Sequence, residues 1–390
     1  MLNAKLFTSC SYRSLSKILV AFNLHLNLSI SSPSFSTTML WVKKLGYARL
    51  TSVKPIADDW VIIIDESIGI GQEKVLVILG IRQQDIDFTR PLKMQDMEPL
   101  LVKSREKWQA IDIANELNII NQEIGTISYA VSDAGYAIKK ALEICKIIWI
   151  YDITHAIAIT LTKIYSDDCD FKKFTHQAAQ MRFKLCNSKQ AHLIPPNQRS
   201  KSKFLNLDII CKWAVQALKA YDSQEICLAD KQSLQWVKDM EDFVLTLEKI
   251  MEATQEISVI IKNNGLSKKS ISKCKASLKG CNSGKLRQFK DMILKQLAEN
   301  GRSLIKRNDI KLCCSDVIET IFGKYKSELS KNKMSGITDL VLIIPALTAT
   351  LDANYITHAI DNCTVKDIEN WKKENLCESL LSKRKVVFFN

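Results

Sequence analysis

No Cys-x-x-Cys pair occurs anywhere in the 390 residues, and the five histidines show no ligand-type spacing, so a structural zinc site is not expected. No secretory leader is evident. The apolar stretch from Ile18 to Leu28 is interrupted by Asn23, His25 and Asn27, follows Ser-rich sequence and ends without a small-residue cleavage site. No uninterrupted apolar run reaches membrane-spanning length, because Leu340 to Leu351 carries Pro345 and threonines. A membrane partner is therefore not expected. The twelve cysteines are scattered, with only Cys313 and Cys314 adjacent. In a large chain without a leader they read as reduced thiols of a cytoplasmic, nucleoid-associated protein rather than as a disulfide framework. Acid is missing from one long segment: residues 257 to 290 hold nine Lys or Arg and no Asp or Glu.

What is present is ordinary globular material, 46% hydrophobic and 25% charged, in a chain long enough for two or three structural units. The formal net charge of +13 favours a polyanionic partner, nucleic acid or an anionic membrane surface. The acid-free segment, with Lys268, Lys269, Lys273 and Lys275, reads as a DNA-backbone contact, since so many cations repel one another unless phosphate neutralises them. A solvated face is the alternative.

Residues 12 to 46 read as two helices around the break Ser31-Ser-Pro-Ser34, with Gly46 closing the second. Either a helix-turn-helix, with the second helix as major-groove reader, or a helical hairpin packed on the core fits this pattern. From Trp60 the periodicity changes. Val61-Ile-Ile-Ile64 is a strand buried on both faces and ending at Asp65, Ser67 to Gln72 is a turn, and Lys74 to Ile81 is a second strand. A third strand is expected near Ile86 to Leu92, a helix over residues 104 to 121, a strand at Ile127 to Val131 running into Asp133, a helix from Tyr136, and a strand at Ile147 to Tyr151. Three strands followed by strand-helix alternation predict an α/β fold, a ribonuclease H-like mixed sheet flanked by helices. Between residues 166 and 310 strand signals vanish. Val237, Met240, Val244, Leu247 and Met251 mark a helical core seam of a large all-α insertion, and Pro195 to Lys203 is a loop. The expected organisation is 1–50 N-terminal helical region, 51–165 first part of the core, 166–310 insertion, 311–350 second part of the core, and 351–390 a C-terminal tail.

Phosphodiester cleavage and joining need a strong nucleophile and stabilised charge on both the attacking and the leaving oxygen. Two Mg²⁺ (or Mn²⁺) ions held by carboxylates from separate elements do both. Asp65 and Asp133 end two strands, at the edge where open sheets bind ligands. Asp133 could instead merely cap the next helix. Glu319 shares a helix face with Ser315, Gly323 and Lys326, beside a buried stripe of Ile318, Phe322, Tyr325 and Leu329. Lys324 and Lys326 could grip phosphate. Asp152 is the rival for the second acid, with His155 as a possible proton carrier or a structural imidazole. Glu66 is expected on the face opposite Asp65.

Trp60-Val-Ile-Ile-Ile-Asp-Glu66, Val131-Ser-Asp-Ala-Gly135, Tyr151-Asp-Ile-Thr-His155 and Ser315-Asp-Val-Ile-Glu-Thr-Ile-Phe-Gly-Lys324 resemble successive blocks of bacterial insertion-sequence DDE transposases. The resemblance covers roughly residues 35 to 350. It implies that Asp65, Asp133 and Glu319 ligate catalytic metals, and that water cleaves a transposon end whose 3′-hydroxyl then attacks target DNA. It also implies double-stranded DNA as substrate and a homodimer or higher assembly on it. The Asp152-x-x-His155 step is similar to one found in families with a helical insert before the glutamate, which accounts for the 186 positions between Asp133 and Glu319. Some members carry a tyrosine and an arginine upstream of that glutamate and a lysine downstream. Lys326 fits the last, whereas Leu312 and Ser315 occupy the other two. The amino-terminal region is short for the family, as in a truncated copy. A nuclease that cuts without joining, and an inactive transposase-derived DNA-binding protein, are the alternatives.

Overall fold

β-branched residues build the centre of a five-stranded sheet in the computed structural model, which describes residues 1–68, 73–198, 204, 206–329 and 336–389. The strands are β1 (Ala57–Ile68), β2 (Lys74–Arg82), β3 (Glu98–Arg105), β4 (Gly125–Ser132) and β5 (Ile148–Tyr151), in the order β3-β2-β1-β4-β5. β2 pairs antiparallel with both β1 and β3, while β4 pairs parallel with β1. This mixed sheet has the ribonuclease H-like layout expected from the strand order. Val61 to Ile64 and Val75 to Leu79 are all buried, as strands covered on both faces must be.

Two expectations about these strands are corrected. β1 does not stop at Asp65 but continues to Ile68, because its antiparallel pairing with β2 extends to Ile68 and Lys74. The third strand is not near Ile86 to Leu92 but at Glu98–Arg105, after short 3-10 turns at Gln83–Asp85 and Met94–Asp96. Pro91 breaks the earlier run, whereas Pro99 sits near the start of an edge strand, where a missing N–H is tolerated. Lys103 and Arg105 on its wetter face hide that strand from an apolar count. The expected turn at Ser67 to Gln72 and part of the expected loop at Pro195 to Lys203 lie outside the described residues.

Contacts divide the chain into two compact units, one of residues 1–87, 91–150 and 315–390 and one of 88–90 and 151–314. In the first, the N-terminal helices are α1 (Leu2–Phe7), α2 (Tyr12–Leu26) and α3 (Phe35–Thr51), while α4 (Ala110–Ile124) links β3 to β4 and α5 (Tyr136–Ile144) links β4 to β5. Trp60, Ile62, Ile64, Leu76, Ile78 and Ala130 meet Ile113, Leu117, Ile120, Ile138 and Leu142 in one cluster, so α4 and α5 cover one face of the sheet. The second unit holds α6 (Ile153–Tyr165), α7 (Cys169–Leu185), α8 (Leu207–Tyr221), α9 (Leu228–Lys238), α10 (Glu241–Asn264), α11 (Lys268–Ser277) and α12 (Gly284–Gly301). Tyr165, Phe171, Phe174, Phe243, Trp236 and Trp213 form its aromatic core. The expected seam is buried at Val237, Met240, Val244 and Leu247, but it runs over two helices, because α9 ends at Lys238 and Met240 is the N-cap of α10. Ile250 is fully buried there, one residue from the expected Met251.

The chain returns to the first unit with α13 (Asp316–Glu328), α14 (Ile343–Ala346), α15 (Ala353–Asn362), α16 (Val365–Asn375) and α17 (Leu380–Phe389), the last three lying in the expected C-terminal tail. α3 is a core helix: residues 37–50 are all buried or half-buried, which is the helical-hairpin alternative of its sequence. Gly46 does not close it but lies inside it, where a Cβ would come 1.8 Å from the Leu342 carbonyl oxygen. The charges of α3 are spent within the unit, with Lys43 on Asp339, Lys44 on the Ile360 carbonyl and Arg49 on Glu98.

Just past α3, the side chain of Lys54 is 7% exposed and lies 3.5 Å from Glu98. Burial pushes its ammonium down to about 8, against the opposing pull of Glu98 and with a smaller push from Arg49. Between that value and the unfolded one near 10.5 the unfolded chain binds the extra proton. The Lys54 contribution to stability should therefore rise with pH across this window and be flat below it. Urea denaturation of wild type and Lys54→Met from pH 7 to 10 checks this, the stability of wild type rising relative to that of the variant as pH rises above about 8.

Candidate active site

β1 and β4 run side by side with Ile62 opposite Ala130 and Ile63 opposite Val131. Carried two residues further, that pairing sets Asp65 beside Asp133, on strands about 5 Å apart. Side chains alternate along a strand, so Asp65 shares a face with Val61 and Ile63. Asp65 therefore sits opposite the face covered by α4 and α5, and Asp133 is the first residue beyond the end of β4. Glu66 takes the other face, as expected, where Lys74 pairs with it at 2.6 Å. Asp59 is held by Arg82 near the far end of β1, about 20 Å of strand away from Asp65.

Asp65 Oδ1 accepts the Glu66 amide at 2.7 Å, and Asp133 Oδ1 accepts the Gly135 amide at 2.9 Å. The second is an Asx turn, not a helix cap: α5 begins after Gly135 with no side-chain cap. Gly135 leaves room for that turn, since a Cβ there would stand 2.9 Å from Asp133 Oδ1. The Asp-x-Gly spacing is the signal that could have found it.

Asp152 is built differently. It is fully buried and N-caps α6, with Oδ1 accepting the His155 amide at 2.7 Å and facing His155 Nδ1 at 3.0 Å. Nearby in the second unit, Asn300 bridges both polar groups of the Tyr151 backbone, and Ile153 donates to the Cys313 carbonyl. Burial, reinforced by the charge of Asp152, pushes the Cys313 thiol far up. Capping and packing account for the Asp152 and His155 contacts seen here.

Glu319 is exposed in the first turn of α13, where a carboxylate suits the helix dipole. Val317, Ile318, Ile321, Phe322 and Tyr325 are its buried residues, and α13 packs against β1. None of them joins the cluster under α4 and α5. Two contacts fix this helix that the sequence did not reveal. Lys5, buried in α1, pairs with Glu328 at 2.5 Å, and Lys324 donates to the Leu6 carbonyl at 3.0 Å. Lys324 thus ties α13 to the end of α1 rather than standing open to phosphate, and burial lowers its basicity. Lys326 is exposed.

Among the described residues, no three His, Cys, Asp or Glu side chains are gathered closely enough to hold a metal ion. The pair Asp65 and Asp133 nevertheless fits Mg²⁺, which usually takes one or two carboxylates and completes its shell with water and substrate phosphate. In the second unit Lys268, Lys269, Lys273 and Lys275 are exposed on α11, whose inner side carries buried Cys274. The acid-free segment is not without acidic partners, because Lys285 pairs with Asp168 at 2.7 Å and Arg287 lies 3.7 Å from Asp291. Folding brings in carboxylates from outside the segment, which a linear charge count misses.

No family model matches the chain, and no curated protein is similar to it in sequence. A similar solved structure is the Drosophila P element transposase strand transfer complex, at 11% identity and a TM-score of 0.44, over 90% of this chain and 94% of that one. A likeness at that level assigns neither residues nor activity. Among the described residues no helix is long and apolar enough to cross a membrane.

The contrast between the two rival acids is open to measurement. Asp152→Ala should cost about 2 kcal/mol of stability through the loss of its cap and buried partner. Asp133→Asn should stay within about 0.5 kcal/mol of wild type, as partly exposed positions do. Denaturant unfolding of both variants checks this.

Proposed function

We propose that this chain is a DNA strand-cleaving and strand-transferring enzyme of the DDE transposase kind, with Asp65, Asp133 and Glu319 as its carboxylates. The observation that carries the reading is the β1–β4 pairing, in which Ile63 stands opposite Val131, each two residues before one of two acids far apart in sequence. Asp65 and Asp133 would hold a divalent cation, Mg²⁺ or Mn²⁺, and Glu319 would complete the set from α13. Such a cation supplies charge stabilisation at the attacking and leaving oxygens of an in-line displacement. The Asx turn holds Asp133 in one rotamer, and the Glu66 amide does the same for Asp65, so both acids are oriented before substrate arrives. Exposed lysines of α11 and Lys326 would neutralise DNA phosphates without reading sequence. Bringing two DNA ends together calls for at least a dimer on DNA.

Asp65→Asn, Asp133→Asn and Glu319→Gln should each lower metal-dependent strand cleavage by at least about a thousandfold while DNA retention in a gel persists. Full cleavage by any of the three would remove that residue from the site. A second reading, a transposase-derived protein that only binds DNA, is favoured by the lack of a gathered three-carboxylate group among the described residues. Retardation without cleavage by wild type, in either Mg²⁺ or Mn²⁺, would establish it. Cleavage without joined products would point instead to a nuclease.

Replacing Lys268, Lys269, Lys273 and Lys275 together by Ala should weaken binding to DNAs of different sequence alike. It should also flatten the slope of log K against log salt, by about 0.9 for each phosphate no longer neutralised. Titrations at several salt concentrations check this.

A further inference from the structure

Next to the proposed carboxylates lies a surface that none of the sequence motifs includes. Tyr136 is the first residue of α5 and is 82% exposed. It follows Asp133 by three residues, so its backbone lies within about 10 Å of that acid. Lys139 and Lys140, one turn further along α5, are exposed as well and share the side of the helix that carries Tyr136. The Lys139 ammonium stands 4.6 Å from the ring centre of Trp149 on β5, and Trp149 Nε1 donates to Ser132 Oγ at 3.0 Å. Ser132 immediately precedes Asp133 and bonds its carbonyl through the same hydroxyl.

An aromatic ring and two cations are thus mounted on rigid elements beside Asp133. A ring beside ammonium groups suits a strand whose bases are unstacked: the ring stacks on any base face, and the lysines donate to phosphate oxygens. A paired duplex keeps its bases inside and offers a ring nothing to stack on. Three stacked bases span about 10 Å along a strand, so a base on Tyr136 would lie within a few nucleotides of a phosphate at the carboxylates.

The geometry points to Tyr136, with Lys139 and Lys140, as a ledge that holds an unpaired nucleotide of the DNA strand next to the scissile phosphate. This rests on the proposed DNA-cleaving function and adds that the substrate is opened at the site. It requires no new covalent step, only unstacking of a base, which frayed or single-stranded DNA offers at least cost.

The test uses the full chain and a forked oligonucleotide of mixed sequence with 2-aminopurine in its single-stranded arm, in Ca²⁺ so that binding can be read apart from cleavage. Wild type should change the probe's fluorescence. Tyr136→Ala should lose that change and bind the fork about tenfold more weakly, with duplex binding unaltered. Tyr136→Phe and Tyr136→Trp should retain both. If Tyr136→Ala matches wild type in fluorescence and in fork affinity, the ledge is overturned while the cleavage reading stands. If wild type cleaves no DNA in Mg²⁺ or Mn²⁺, the cleavage reading falls and the ledge falls with it.

Discussion

The parallel pairing of β1 with β4 is the constraint on which the rest of the proposed chemistry depends. Parallel neighbours cannot be joined by a tight turn, so the chain passes through β2, β3 and α4 before it returns beside β1. That detour brings Asp133 next to Asp65 across 68 positions of sequence. Side-chain alternation along β1 then sends Asp65 and Glu66 to opposite faces of the sheet. A slip of one residue in this pairing would send one carboxylate to the helix-covered side, where no cation or phosphate could reach it.

Such a juxtaposition works against folding, since like charges on neighbouring strands repel. Elsewhere in the protein, Glu66, Asp59, Arg49, Lys43 and Lys5 each have an opposite charge at hand. Asp65 and Asp133 accept backbone amides, which orient each carboxylate. Oriented negative charge at a strand edge is what a divalent cation needs. The exposed lysines of α11 have the opposite character, and a polyanion relieves their mutual repulsion.

α13 is held as firmly as the strands. Its buried stripe packs against β1, and the Lys5–Glu328 and Lys324–Leu6 contacts tie it to the first helix of the chain. The amino-terminal helices therefore support the proposed site mechanically, whatever else they bind. With Lys43, Lys44 and Arg49 engaged in the first unit, α3 serves packing first.

Local pattern determined much of this protein. Apolar β-branched runs made β1, β2 and β4 legible, the Asp-x-Gly step announced a turn after β4, and spacing of three and four marked the buried side of α13. These signals survive because each depends on residues near one another in the chain. β3 was missed because charged residues on its wetter face and a proline near its start dilute the apolar count, and only pairing with β2 makes it a strand. The break at Met240, the burial of α3 and the diversion of Lys324 to a backbone carbonyl were likewise decided by neighbours distant in sequence. So was the burial of two candidate acids: both follow a strand and precede a helix, and tertiary packing buries Asp152 as a cap while Asp133 stays partly exposed.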